Sequence, residues 1–568
     1  MIVGIDLGTT NSAVAIWRDG EPKLVPNALG KELTPSAVSL DKKGQTWVGQ
    51  AAIDRMATHP SDTVSSFKRM MGTEANVVLA GTKLTSEDLS AMVLRSLIDD
   101  VEEAMGERPV EAVITVPAYF NERQRRATRR AGEIAGLDVK RLINEPTAAA
   151  LAFGLHDRGD REPFLVFDLG GGTFDVSIVE MFEGIVEVRA SAGDNRLGGD
   201  DFDDVMVKLA EPLLGDLGAL NKVPTDRRKA LMQLAAEKTR IALSSAQAAD
   251  FSVTVEERVY ATDIATDQFE EAAAPLVKRL RDPVIRALRD SHIDVQSLSD
   301  IVLVGGATRM PVVRKALTRM FGRFPNSTVH PDHAVALGAA IQAGLLSGGE
   351  GLDEIRITDV APFTLGVETA TRDQHGRYHS GIFAPIIERN TPVPVSRMEE
   401  FGTLEDNQRE VRFGIYQGEA RDVSNNVKLG EVKIQVPPKE AGHVPVEVRF
   451  TYDTSGLLEV DVHVPDTGVT RNLVIVDEED KRSRKDIEKS RSKLEKLKVH
   501  PRDDAENVAA LARAERAYEG FTGMQRDMIG RWLTEFKGAL EKQDPRIIVD
   551  ARTDLIEALD ELEANPPI

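Results

Sequence analysis

Ile2-Val3-Gly4-Ile5-Asp6-Leu7-Gly8-Thr9-Thr10 opens the chain, and Phe164-Leu165-Val166-Phe167-Asp168-Leu169-Gly170-Gly171-Gly172-Thr173 repeats its form. In each, an apolar run reaches Asp-Leu-Gly, passes a threonine-bearing turn and resumes a strand. One such motif is how many strands end. Two copies at matching positions predict two β-hairpins of the same kind, in a duplicated domain that closes over a ligand. Glycines 8, 170, 171 and 172 let the backbone approach phosphate oxygens and turn its N–H groups toward them, with neighbouring hydroxyls as further donors. Two facing turns would hold a polyphosphate. Asp6 and Asp168, just before the turns, are placed to hold Mg²⁺ through its waters, with phosphates as the other ligands.

A third glycine element, Ile301-Val302-Leu303-Val304-Gly305-Gly306-Ala307-Thr308-Arg309, also follows a strand, and its arginine is suited to stacking on a planar base. Neither the Walker pattern nor the spaced glycines of a dinucleotide fold occurs at these sites. Around them, up to about Gly349, β-branched strands alternate with amphipathic helical stretches, such as Ala112 to Val116 followed by Glu122 to Gly136, the α/β texture. Beyond Leu352, short alternating segments such as Val411 to Ile415 and Val444 to Phe450 predict an antiparallel sandwich. From about Lys481, Ile487, Leu494 and Leu497, then Leu533, Phe536, Leu540 and Leu555 to Leu562, recur at helical spacing. The Gly-rich stretch Leu346 to Glu354 and the charged run Asp477 to Lys485 separate these units.

At 568 residues the chain is too long for one core. Its 71 basic and 92 acidic side chains give a formal charge of −21, which repels phosphate backbones and anionic lipids; no nucleic acid and no membrane are expected as partners. The absence of cysteine excludes disulfides, thiolate metal sites and cysteine nucleophiles, and fits a reducing cytoplasm. The start does not read as a signal peptide, and no uncharged apolar run reaches the ~20 residues of a membrane span. The ten histidines show no metal-ligand spacing.

Together the three glycine elements resemble the actin-like ATPase superfamily. Gly4 to Ser12, Ile114-Thr115-Val116-Pro117-Ala118-Tyr119-Phe120-Asn121, Ile143-Asn144-Glu145-Pro146-Thr147-Ala148-Ala149-Ala150 and Phe167 to Asp175 narrow the resemblance to the DnaK-type chaperones, the heat shock protein 70 family. It spans nearly the whole chain, more weakly in the final helical part, which is most like the specialised HscC branch. The resemblance implies an actin-like ATPase domain over 1–349, a linker over 350–359, a β-sandwich peptide-binding domain over 360–477 and a short helical lid over 478–568. It implies ATP/ADP, Mg²⁺ and a K⁺ ion, and a cytoplasmic monomer that binds unfolded client polypeptides with a J-domain cochaperone and a nucleotide-exchange factor. Thr9, Thr10, Asn11, Gly170, Gly171 and Gly172 would hold the phosphates, and Lys68, Glu145, Asp168 and Thr173 would surround Mg²⁺ and the attacking water. Such residues suit phosphoryl transfer, which needs positioning and charge neutralisation more than a strong base. Alone, Lys68 would read as a surface lysine. Gly198, Gly199, Glu237, Arg240 and Ser244, with Gly305, Gly306, Arg309 and Asp332 opposite, would hold adenosine. Glu237, Arg240 and Ser244 are spaced for one helical face, which supports a common ligand; a surface salt bridge between Glu237 and Arg240 is the plain alternative. His330-Pro331-Asp332 spells the J-protein tripeptide, here a coincidence.

In the second unit, the resemblance places Phe401, Leu404, Val411 and Phe413 around a peptide cleft with Ala370 across its top, although Val411, Phe413 and Ile415 also alternate as any sandwich core does. Such pockets take Leu-like side chains while backbone bonds hold the strand. Arg141, Pro117, Arg125 and Asp359 are the implied cochaperone or coupling residues. The linker Asp353-Glu354-Ile355-Arg356-Ile357-Thr358-Asp359 has only two apolar positions, which predicts weak docking, and Thr371 to Ser380 is an extra polar segment. A small-molecule kinase or a filament-forming ATPase would share the first fold but leave about 200 residues unexplained. A peptide-binding module with a decayed ATPase is a third reading.

Overall fold

The computed structural model describes residues 1–155, 161–182, 185–215, 217–255, 258–326, 329–349, 352, 356–372, 378–452, 458–474, 501–521, 523–541 and 545–564. The charged run Asp477 to Lys485, the residues Ile487, Leu494 and Leu497, and the 353–355 and 373–377 parts of the linker and extra segment lie outside the described residues.

The repeated motif forms two hairpins, Ile2–Asp6 with Asn11–Arg18, and Arg161–Leu169 with Phe174–Phe182, both antiparallel. Each hairpin is extended by a third antiparallel strand, Glu21–Val25 in one case and Ile185–Asp194 in the other. On its opposite edge each takes a parallel neighbour, Glu111–Val116 or Ile301–Val304. The two sheets are therefore topological copies, each the floor of one lobe. Apolar residues such as Ile5, Ile114, Phe167 and Leu303 bury against helices in separate cores.

Helices Glu145–Leu155 and Ala334–Leu346 cross between the sheets, and only small residues permit it. A Cβ on Gly338 would lie 1.7 Å from the Ala148 carbonyl oxygen, and one on Gly4 2.1 Å from the Ala340 nitrogen. Helix Glu122–Ala135 starts at a reciprocal capping box between Asn121 and Gln124 and stops at Gly136, whose φ of 100° ends the helical run.

Residues 360–474 supply two four-stranded antiparallel sheets facing across a shared core of Leu365, Phe413, Ile415, Val446, Phe450 and Val460. Helices Pro501–Gly520, Gly523–Glu541 and Pro545–Ala564 bury Leu533, Phe536 and Leu555 among themselves. The first of them packs on Gln50–Met56 of the first lobe, where Arg516 pairs with Asp54 at 3.0 Å. Among the described residues no helix is long and apolar enough to cross a membrane.

The segment Arg356–Val360 does dock despite its polarity: it adds a parallel strand to Ile185–Asp194 of the second lobe, Ile357 opposite Val186. Backbone pairing needs no apolar side chain, which is why the scarcity of apolar positions in the linker did not anticipate it.

Candidate functional site

The two hairpin turns face each other. A Cβ on Gly171 would strike Thr10 Oγ1 at 1.6 Å, and one on Gly172 would strike Thr9 Cγ2 at 2.5 Å, so only glycine lets the turns meet. Thr9 is buried, Thr10 half-buried and Asn11 exposed, and Gly170 N–H donates to the Thr173 carbonyl at 3.1 Å. Thr10 Oγ1 and Asp168 Oδ2 are buried polar atoms without a hydrogen-bond partner. Such atoms are stable where a ligand completes them.

Beneath the turns four carboxylates converge. Burial, with the Glu145 charge beside it, pushes Asp6 up to about 7, and the same two causes push Asp175 up to about 7. Asp168 rises well above the usual carboxylate range for the same reasons. Lys68 is 3% exposed, and its Nζ donates to Glu145 Oε1 at 2.6 Å. One buried lysine among these acids leaves an excess of negative charge that suits a divalent cation, and Asp168's orphaned oxygen fits a metal-bound water. Mg²⁺ is compatible with Asp6 and Asp168 on these grounds.

The base-side residues divide. Gly305 has φ 80° and lies so close to the Leu169 carbonyl that a Cβ would sit 2.3 Å from its oxygen. A Cβ on Gly306 would fall 2.9 Å from Asp332 Oδ1, and Arg309 donates to Asp332 at 2.5 Å and meets His330 at 3.1 Å. The His-Pro-Asp tripeptide is thus part of this wall: Pro331 accepts from Gly305 N–H, and Ala334–Leu346 begins just beyond. Gly198 and Gly199 start the helix Gly199–Ala210 and pack on Gly171. The Glu237–Arg240 salt bridge, the plain alternative to a ligand face, is not what the structure forms: Arg240 grips Asp203 of the helix Gly199–Ala210 through two nitrogens at 2.6 and 3.1 Å. Ser244 lies just past the end of the helix Thr225–Ala242, and its Oγ turns back to the Arg240 carbonyl.

Sequence reasoning passed over Arg69, Asp175, Asp200, Asp201 and Asp203. The signal was the acidic run Asp200-Asp201-Phe202-Asp203 directly after two glycines, and an arginine directly after Lys68.

A chain of contacts leads away from the acids. Asn144 precedes Glu145; its Nδ2 donates to Asp359 Oδ2 at 2.8 Å, and Thr147 Oγ1 reaches the same oxygen at 3.2 Å. Arg125 donates to Asn144 Oδ1 at 2.6 Å and to the carbonyls of Ala118 and Phe120, just past Pro117. Burial raises Asp359 and depresses Arg141, the Asp359 charge opposing the latter. The sandwich meets the lobes beside this chain: Gln417 accepts from Glu122 N–H, the Tyr119 and Phe363 rings lie 4.3 Å apart, and Arg389 forks onto Asp290 at 2.7 and 3.2 Å.

Within the sandwich, Phe413 is 3% exposed and belongs to the core, with the Phe401 ring tilted against it, centroids 5.4 Å apart. Val411 and Ala370 are half-buried, and Leu404 is 37% exposed on a loop held by Gln408.

A family model described as "Hsp70 protein" matches residues 2–80 and 73–563. The chain is 43% identical over 488 residues to "Chaperone protein DnaK" of Thermotoga petrophila, covering 84% of this chain and 80% of that one, and equally to its counterpart in Thermotoga maritima. The same protein of Thermotoga neapolitana is 42% identical over the same span.

Proposed function

From the premise that this chain belongs to the Hsp70 family, we propose how its parts divide the work of an ATP-dependent molecular chaperone. The chain is an ATPase and binds client polypeptides. Residues 1–349 form the actin-like nucleotide domain, 350–359 the linker, 360–477 the peptide-binding sandwich and 478–568 the lid. Thr9, Thr10, Asn11 and glycines 170, 171 and 172 cradle the phosphates. Gly198, Gly199, Glu237, Arg240 and Ser244 take one side of adenosine, and Gly305, Gly306, Arg309 and Asp332 the other. Mg²⁺, held through water by Asp6 and Asp168, would neutralise charge on the phosphates; a K⁺ ion fits the same acidic floor. Lys68 faces the γ-phosphate, while Glu145, Asp168 and Thr173 orient the water that attacks it.

The observation that carries this reading is the adjacency of Asn144 and Glu145. One residue holds Asp359 of the linker strand and the next holds Lys68 at the phosphate site. A shift of Lys68 and Glu145 on hydrolysis is therefore transmitted through one peptide unit to the linker, with Arg125 and Pro117 on the far side of Asn144. ATP favours the docked linker and an open cleft; ADP leaves the client held. In the sandwich Leu404, Ala370 and Val411 face the client, while Phe401 and Phe413 form the floor. A J-domain cochaperone contacts Arg141 and Asp359, an exchange factor frees ADP, and the cysteine-free chain works in the cytoplasm.

The test is steady-state ATP hydrolysis with Mg²⁺, with and without excess Leu-rich peptide, in wild type and Lys68→Ala. Slow hydrolysis that peptide stimulates and the variant loses is expected. Hydrolysis in wild type that Lys68→Ala leaves intact would remove Lys68 from the reaction.

A further inference from the structure

Lys68 and Arg69 are neighbours in one short turn, Phe67–Met70, yet they point to different lobes. Lys68 reaches Glu145 on its own side of the cleft. Arg69 crosses it: Nη2 donates to Asp201 Oδ2 at 2.6 Å and lies 3.4 Å from the Gly171 carbonyl, and Nε lies 3.8 Å from Asp200. Three features show that this crossing bears on the phosphate turns and not on a distant surface. Gly172 lies so close that a Cβ there would be 2.9 Å from Arg69 Nε. Asp201, the partner of Arg69, also accepts from Gly198 N–H at 2.8 Å and so fixes the Gly198–Gly199 turn. That turn is bonded in register to the phosphate turn, Gly199 N–H to the Gly170 carbonyl and Asp200 N–H to the Gly171 carbonyl, both at 2.9 Å.

We infer that Arg69 is a positioning residue that clamps the two lobes together across the bound nucleotide, through Asp201 and the glycine turns Asp201 holds. The inference rests on the nucleotide lying between those turns. A partly buried guanidinium at carboxylate distance makes a directional, charge-assisted bond. Opening the cleft to release nucleotide must break it, so Arg69 governs the escape of nucleotide more than the attack on the γ-phosphate.

The experiment measures release of a fluorescent ADP analogue from the full chain in Mg²⁺ by stopped flow, alongside single-turnover ATP hydrolysis. Arg69→Gln is expected to speed release about tenfold and to slow the single turnover by less; Arg69→Lys, which keeps the charge but not the fork, should fall between. Asp201→Asn should speed release similarly, and the double variant should be no faster than the faster single one. If Arg69→Gln does not fold, Asp201→Asn carries the test. Release within twofold of wild type, multiplicative effects in the double variant, or a single-turnover loss exceeding the gain in release would overturn the clamp. A wild-type chain that fails to retain the analogue would instead overturn the nucleotide site itself.

Discussion

Replacing Gly338 by alanine adds one methyl group where two helices cross, and the structure sets how far they must part. The new Cβ would lie 1.7 Å from the Ala148 oxygen and 2.3 Å from its carbonyl carbon, whereas real Cβ atoms essentially never come within 3.0 Å. The crossing must therefore open by about 1.3 Å. Retreat in the other direction is blocked, because Ala340, about 200° further around the helix, already rests on Gly4. Alanine gains about 1 kcal/mol in helix propensity, but overpacking against backbone costs about 1–3 kcal/mol, so the denaturation midpoint should fall. The functional loss should be larger. Ala148 is one turn after Glu145 on the same helix, and a displacement of about 1 Å at a positioned group costs on the order of 10²-fold. Single-turnover ATP hydrolysis measures this directly. Gly154→Ala, on that same helix, is the control: its Cβ meets only the flexible end of Met181 and should be milder. Hydrolysis by Gly338→Ala within threefold of wild type, or equal damage from the control, would refute the reasoning.

Below pH 7 the raised pKa values of Asp6 and Asp175 keep protons on the site, and a bound cation expels them. MgADP binding should therefore release about one proton near pH 6.5, strengthen as pH rises toward 8, release none above about pH 9, and release less in Asp175→Asn, as calorimetry in buffers of different ionisation heat would show. Arg389→Ala removes the fork onto Asp290 and should shift the docked sandwich roughly tenfold toward the free form, read by energy transfer between dyes on the second lobe and the sandwich; an unchanged ratio would show that the other contacts suffice. Phe413→Ala, at 3% exposure, should destabilise the sandwich by about 3–5 kcal/mol, whereas Leu404→Ala, at 37%, should weaken peptide affinity with little change in melting. The reverse pattern would exchange their roles.

The hairpin repeat, the strand-ending aspartates and the glycine turns were legible in the sequence because each is a local event: strand period, turn chemistry and backbone freedom act over a few residues. The capping box at Asn121 and the stop at Gly136 are local in the same sense. Pairings between distant segments were not legible. Nothing near Arg240 indicates Asp203, 37 residues away. Lys68 reads as a surface lysine until the fold brings Glu145, 77 residues on, within 2.6 Å of it. The linker's polarity argued against docking, yet backbone pairing to the second lobe holds it. Local rules thus determined which segments could bind a polyphosphate or form a sandwich. The raised carboxylates, the Arg69 crossing and the step from Glu145 to Asn144 to Asp359 were decided by tertiary packing, because burial and charge proximity are properties of residues that only folding brings together.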